Sequence, residues 1–222
     1  MSLAAGIINH VFGLRPLKSF AVDDYITAVN CGFVNFFLYR RDGHTIAFDT
    51  GYNIQSTRRI LHAIGVDPAS VSHVFLSHSD FDHAGGLPVF NRALVYYAQT
   101  EVRKFARQSK KFRWAQRCLS SYALHDRESV NIGSIWVTAL QIPGHTPGSL
   151  AYLVDSIYLL SGDTLSLKDG KAHINRHFCM DIKSIRQSAN TLTQLKEVKV
   201  LLTPHWGYAN YAEAFSDWDL LK

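Results

Sequence analysis

The string His78-Ser79-Asp80-Phe81-Asp82-His83 constrains this chain more than any other feature. Four side chains able to bind a metal fall within six positions, directly after the apolar run Val71 to Leu76, which reads as a short buried strand. A chain leaving that strand in an extended or tightly turned form can aim residues i, i+2, i+4 and i+5 at one point. A helix would send i and i+2 about 200° apart. Two imidazoles and two carboxylates form a borderline-to-hard donor set, suited to divalent Zn, Fe, Mn or Co and poor for Cu(I) or an iron–sulfur cluster.

A centre holding two ions needs more ligands than these four, and three later loops offer them. His145 lies in Pro143-Gly144-His145-Thr146-Pro147-Gly148 after the run Ile135 to Ile142, Asp163 in Gly162-Asp163-Thr164 after Ile157 to Leu160, and His205 in Pro204-His205-Trp206-Gly207 after Val198 to Leu202. Each ligand-type residue follows an apolar β-like run, where α/β folds gather chemistry on loops anchored by rigid strands.

In that order and with those loops, the sequence resembles the metallo-β-lactamase superfamily of αββα hydrolases and oxidoreductases, from Asp49 to His205. The resemblance implies an α/β fold (α+β in some schemes): a four-layer αββα sandwich of two mixed β-sheets flanked by helices. By position, His78, Asp80 and His145 resemble the ligands of a first metal, and Asp82, His83 and His205 those of a second. Asp163 resembles the carboxylate that bridges the two. Asp49, in Asp49-Thr50-Gly51, resembles the residue that braces the ligand loops from behind.

One position departs from the usual family string, which has His where this chain has Asp80. With Asp80, Asp82 and Asp163, three negative charges face the four positive charges of two divalent ions, and a bridging hydroxide brings the core to neutrality. Such a centre is a weaker Lewis acid, and its oxygen-rich donors shift preference from Zn toward Fe or Mn. Superfamily members resembling diiron oxygen reductases also carry an acidic residue there. The expected activity is metal-dependent hydrolysis of a small-molecule ester, lactone, thioester or phosphodiester, with Asp82 orienting the nucleophile or taking a proton. The alternatives are a non-haem diiron oxidoreductase or sulfur dioxygenase, and a nucleic-acid-processing hydrolase.

The 222 residues, 47% hydrophobic, suit one domain, 1–222, with a helical insertion around 100–125 and no Gly-, Pro- or Ser-rich linker. No apolar run reaches the roughly 18 residues of a membrane span. No secretory signal pattern opens the chain, and the three cysteines are unpatterned, so a cytoplasmic protein with reduced thiols and no membrane partner is expected. The formal charge of +5 owes much to Arg103, Lys104, Arg107, Lys110, Lys111, Arg113 and Arg117. That cluster has no base-reading signature and reads as the solvated face of an inserted helix starting at Thr100-Glu101, so a nucleic-acid partner is not expected.

Helices are also expected over Ser56 to Ile64, just after Gly85-Gly86, and over Asp181 to Leu195 with Asp181 as N-cap. The last strand, Val198 to Leu202, is expected to deliver His205. His173 and His177 fall in a segment able to wall the cleft, while Trp206 and Tyr208 flank His205, so these four are candidate substrate contacts. Ser166 joins them because lactonase-like members often place a Tyr three residues after the bridging Asp, and this chain has Ser there.

Overall fold

The computed structural model describes residues 3–101 and 120–218. The basic cluster at 103–117, most of the expected insertion and Cys118 therefore lie outside the described residues. Two mixed sheets form the middle of the molecule. The first holds seven strands in sequence order: β1 (Phe20–Ala21), β2 (Ile26–Asn30), β3 (Asn35–Arg41), β4 (His44–Phe48), β5 (His73–Phe75), β6 (Leu94–Ala98) and β7 (Ser121–Leu124). The second holds β8 (Ser129–Ile132), β9 (Ile135–Gln141), β10 (Leu150–Val154), β11 (Tyr158–Leu160), β14 (Val200–Thr203) and β15 (Gly207–Asn210), in the order β15-β14-β11-β10-β9-β8. A separate hairpin pairs β12 (Leu165–Lys168) with β13 (Lys171–Ile174).

Side-chain alternation along β3 explains the layering. Phe36 and Leu38 point outward to a cluster with Leu61, Val66 and Val74, while Phe37 and Tyr39 point inward to Phe48, Phe75, Tyr152 and Leu202. A strand covered on both faces is largely apolar, and the first five residues of β3 are all buried, with Asn35, the polar one, bonded to the Leu17 backbone. Helix α2 (Ile54–Ala63), capped by Asn53, covers the outer face of the first sheet through Leu61. Helix α4 (Ile182–Leu192) covers the second sheet with Ala189 and Leu192 packed on Leu140, Ala151 and Leu201. Each such fully buried aliphatic side chain contributes about 1.5–3 kcal/mol. The result is the αββα sandwich that the motifs implied.

Parallel pairing brings the functional loops to one edge. β4 runs parallel to β5, and β11 parallel to β14, so the loops after these strands emerge together. The sheets are joined there by Leu150 N–H donating to the Ser77 carbonyl at 2.8 Å.

Several expectations needed correction. The metal-ligand string is extended only to Asp80; Phe81–Ala84 forms a helical turn, α3, with Asp80 as its N-cap and Gly85 at its end, and the short helix expected after Gly85-Gly86 is the 3₁₀ turn Leu87–Val89. A Cβ on Gly86 would run into the Thr50 carbonyl oxygen and the Thr57 hydroxyl, which is why the chain can close so tightly behind the motif. β14 is not the last strand: Gly207 (φ 92°) turns the chain into the edge strand β15 and helix α5 (Tyr211–Phe215). Helix α1 (Leu3–Phe12) was not expected at all, although Ile8 and Leu14 pack on the first sheet's outer cluster. Among the described residues, no helix is long and apolar enough to cross a membrane.

Candidate metal centre

The ligand-type residues sit on loops and turns that follow strands, and three of the four histidines are aimed by a bond behind the ring. Asp49, just past β4, occupies the left-handed region (φ 61°), an uncommon conformation that Asp tolerates better than most residues. Its carboxylate accepts the Ser77 N–H on Oδ1 at 2.8 Å, and on Oδ2 the Ser77 hydroxyl and His83 Nδ1, both at 2.8 Å. Ser77 Oγ in turn lies 2.9 Å from His78 Nδ1. His205 Nδ1 donates to the Phe33 carbonyl at 2.7 Å. With their Nδ1 atoms engaged, the Nε2 atoms of these three rings face the centre.

Two clusters result. His78, His145 and Asp163 form one, and Asp82, His83 and His205 the other; within each, one donor atom per residue lies within 4.8 Å of the others. Asp80 joins the first, its Oδ2 standing 3.2 Å from His145 Nε2 and 3.6 Å from His78 Nε2. Asp163 divides its oxygens between the two: Oδ1 is 3.4 Å from His83 Nε2 and 3.5 Å from His205 Nε2, while Oδ2 is 3.6 Å from His145 Nε2.

The donor set fits divalent cations on structural grounds. His78 Nε2, His83 Nε2 and Asp163 Oδ1 are buried without any hydrogen-bond partner, a costly condition unless a ligand claims them. Electrostatics agrees. Burial opposes charge on His83, yet Asp163, Asp82 and Asp49 hold its pKa well above the ordinary imidazole value. His205 is likewise pushed up to about 10, against burial, by Asp163 and Asp82. Burial would raise Asp163, but His205 and His83 keep its carboxyl well below the usual range. Asp82 is lowered, against burial, by His83 and His205. His78 is lowered by burial first and by the charge on His83 next. Carboxylates this strongly ionised hold protons on their imidazole neighbours until metal cations displace them.

This arrangement of strands and ligand loops is shared with known proteins. The family model of the metallo-beta-lactamase superfamily matches residues 29–205. The protein belongs to that superfamily. Among solved structures, a metallo-beta-lactamase from Cronobacter sakazakii superimposes with a TM-score of 0.66 at 22% identity, over 89% of this chain and 81% of that one. An archaeal superfamily protein from Sulfolobus tokodaii does so with a TM-score of 0.67 at 16% identity, over 88% and 85%. These likenesses establish the fold. Curated relatives include a probable polyketide biosynthesis zinc-dependent hydrolase of Bacillus velezensis, 30% identical over 54% of this chain and 49% of that protein. The acyl-coenzyme A thioesterase MBLAC2 of Homo sapiens is 25% identical over 59% and 58%. A hydroxyacylglutathione hydrolase of Methylobacillus flagellatus is 27% identical over 70% and 52%. The chain thus spans about half the length of these curated relatives.

A cavity of about 680 Å³ opens over the clusters. Of the candidate substrate contacts, His177 and Trp206 line it, their rings 6.4 Å apart. His173, Ser166 and Tyr208 do not. His173 and Ser166 are directly opposed partners in the β12–β13 hairpin, which carries them off the cavity wall. Tyr208 is exposed on edge strand β15 and packs beside Phe20.

One residue was missed. Glu101, read as a helix cap, is buried, and its carboxylate ties two ligand loops together: Oε1 accepts the Thr146 hydroxyl at 2.6 Å and Gly148 N–H at 3.1 Å, and Oε2 accepts Ser79 N–H at 3.2 Å. Ser79 lies between His78 and Asp80, and Thr146 follows His145, whose own Nδ1 is buried without a partner. A lone Glu after a strand carries no motif; the only sequence signal was its place three residues past the apolar run of β6.

Proposed function

We propose that this protein is a metal-dependent hydrolase acting on a small-molecule ester, lactone or thioester. Its two divalent ions would be held by His78, Asp80 and His145, by Asp82, His83 and His205, and by Asp163 between them. The observation that carries this reading is the division of the Asp163 oxygens between two clusters of ligand-type side chains. When bound, the ions supply Lewis acidity and a water acidified toward neutrality.

The residues of the chain do the rest. Asp49 fixes His83 directly and His78 through Ser77, so the ligand set is pre-aimed before substrate arrives. Asp82, whose Oδ2 lies 3.4 Å from His205 Nε2, faces the cavity and would take the proton of the attacking water and return it to the leaving oxygen or sulfur. The activities named for the curated relatives, hydrolases and an acyl-coenzyme A thioesterase, favour attack at an acyl carbon. A phosphodiester fits less well, because three carboxylates line the cavity and no Lys or Arg does among the described residues.

The test is elemental analysis of chelator-free protein, then turnover of an aryl ester, an aliphatic lactone, a glutathione thioester and a bis-aryl phosphodiester by the Zn-, Fe- and Mn-loaded forms. Two ions per chain and turnover of an acyl substrate are expected; saturation at one ion for every metal overturns the dinuclear assignment. Asp80 favours one second reading, a diiron oxidoreductase, since a carboxylate beside His145 and His78 suits iron. A panel that stays inert while the Fe(II) form consumes O₂ with a thiol donor would establish it.

A further inference from the structure

The cavity has two unlike halves. Its floor carries the formal charges, Asp80, Asp82 and Asp163, together with His145 and His205. The opposite wall is built from Ile8, Phe12 and Leu14, contributed by α1 and the turn after it, and from Phe33, Leu87 and Phe178. Phe12 and Phe178 meet across it with ring centroids 5.4 Å apart.

Several of the polar groups on that wall are already engaged, and the His177 and Trp206 rings stand beside it. Tyr52 Oη accepts the Ser56 hydroxyl at 2.8 Å. Asn175 Nδ2 donates to the Asp163 carbonyl at 2.9 Å, and Asn175 Oδ1 accepts His177 N–H at 3.0 Å. Ser79 Oγ, buried without a partner, is different, but it belongs to the ligand string and not to the wall. A substrate half rich in hydroxyls, amides or charges would lose its hydration against this wall and find few groups to replace it among the described residues. No Lys or Arg stands among the described lining residues to receive a carboxylate or phosphate. An uncharged hydrocarbon loses nothing there and gains burial.

We propose that the acyl half of the substrate is an uncharged apolar chain, seated against Ile8, Phe12 and Leu14 with its carbonyl carbon over the metal-ligand floor. The substrate class is then esters or thioesters of apolar carboxylic acids, in preference to those of hydroxy acids, amino acids or dicarboxylic acids. Water adds to the acyl carbon, the bond from that carbon to oxygen or sulfur breaks, and the proton leaves with the alcohol or thiol, so the apolar acid is the product. The orientation rests on the hydrolase reading; the apolar site itself does not.

Two measurements separate these claims. The first is the kcat/KM of metal-loaded protein on p-nitrophenyl esters from acetate to octanoate, expected to rise two- to fourfold per methylene. Phe12→Ser should flatten that rise. The second needs no turnover: the uncharged fluorophore N-phenyl-1-naphthylamine is bound to the same protein and displaced by 1-butanol to 1-decanol, with affinity rising by a similar factor per methylene and the trend lost in Phe12→Ser. Ester hydrolysis that is flat with chain length, together with alcohols that fail to displace the fluorophore, overturns the proposal while the hydrolase reading stands. Length-dependent displacement with no ester turned over does the reverse. A lactoylglutathione thioester cleaved faster than the octanoate ester also overturns it.

Discussion

Glu101→Gln puts the bracing of the two ligand loops to the test with a change of one atom. The carboxylate uses both oxygens: one takes Thr146 Oγ1 and Gly148 N–H, the other takes Ser79 N–H. An amide has one oxygen. If it stays with Thr146 and Gly148, the amide NH₂ faces the Ser79 N–H, donor against donor, and leaves a buried group unsatisfied. That costs about 1–3 kcal/mol, or a Tm lower by about 2–12 °C at the 2–4 °C per kcal/mol typical of a chain this long. The larger consequence is at the metal. Ser79 sits between His78 and Asp80, and His145 has no bond on its Nδ1 to hold its ring, so the first cluster depends on loop position. Loss of an outer support costs about 10–100-fold in metal affinity, and it should fall on the first ion while the second, aimed through Asp49 and Phe33, is retained. Calorimetric melting of the metal-free protein and a two-site metal titration read the two effects. A variant with wild-type Tm and wild-type affinity at both sites would refute the bracing role, and equal losses at both sites would refute its selectivity.

Three further outcomes are expected. Asp82→Asn should lower kcat by roughly 10²–10⁴ with a smaller change in KM; near-wild-type kcat with both ions present by elemental analysis removes Asp82 from the chemistry. Asp80→His should raise the affinity for Zn relative to Mn, because imidazole replaces a hard oxygen donor beside His145 and His78, and competition titrations showing an unchanged ratio would mean that Asp80 binds no metal. Metal affinity should rise with pH through neutrality, with protons released on binding. His205, held up to about 10, and His83, also raised, are protonated in the metal-free protein at pH 7 and must lose those protons. The same raised values stabilise the metal-free fold fully below an unfolded imidazole pKa near 6.5, a contribution that disappears as pH climbs through about 10 for His205. Titrations in buffers of different ionisation enthalpy that show no proton release would contradict this.

The ligand-type residues were legible because each combined a metal-competent side chain with the end of an apolar run, and a strand end is one of the few places a sequence marks sharply. The sandwich was legible through the resemblance that those motifs carry to a known superfamily, whose fold it implies. What escaped notice depended on tertiary partners. The helical turn at Phe81–Ala84 is too short to show a period. His173 and His177 looked equivalent in sequence, and only the β12–β13 pairing separates one from the cavity and leaves the other in it. Glu101 works entirely through contacts with loops that are 22 to 47 positions away along the chain. Its role is invisible to any local pattern.

The apolar wall contributed by α1 has a consequence for how such a protein can change over time. Ile8, Phe12 and Leu14 all precede residue 29, where the superfamily match begins, whereas every ligand-type residue falls inside the matched stretch. On the proposed reading, the ligand set and part of the selectivity are thereby written in separate parts of the text, with Phe33, Leu87 and Phe178 the wall residues that fall inside the matched stretch. On that reading, drift at Ile8, Phe12 and Leu14 can retune which molecules are admitted without disturbing the ligand-type residues, so one reactive core can be partly refitted to new molecules by changes outside it.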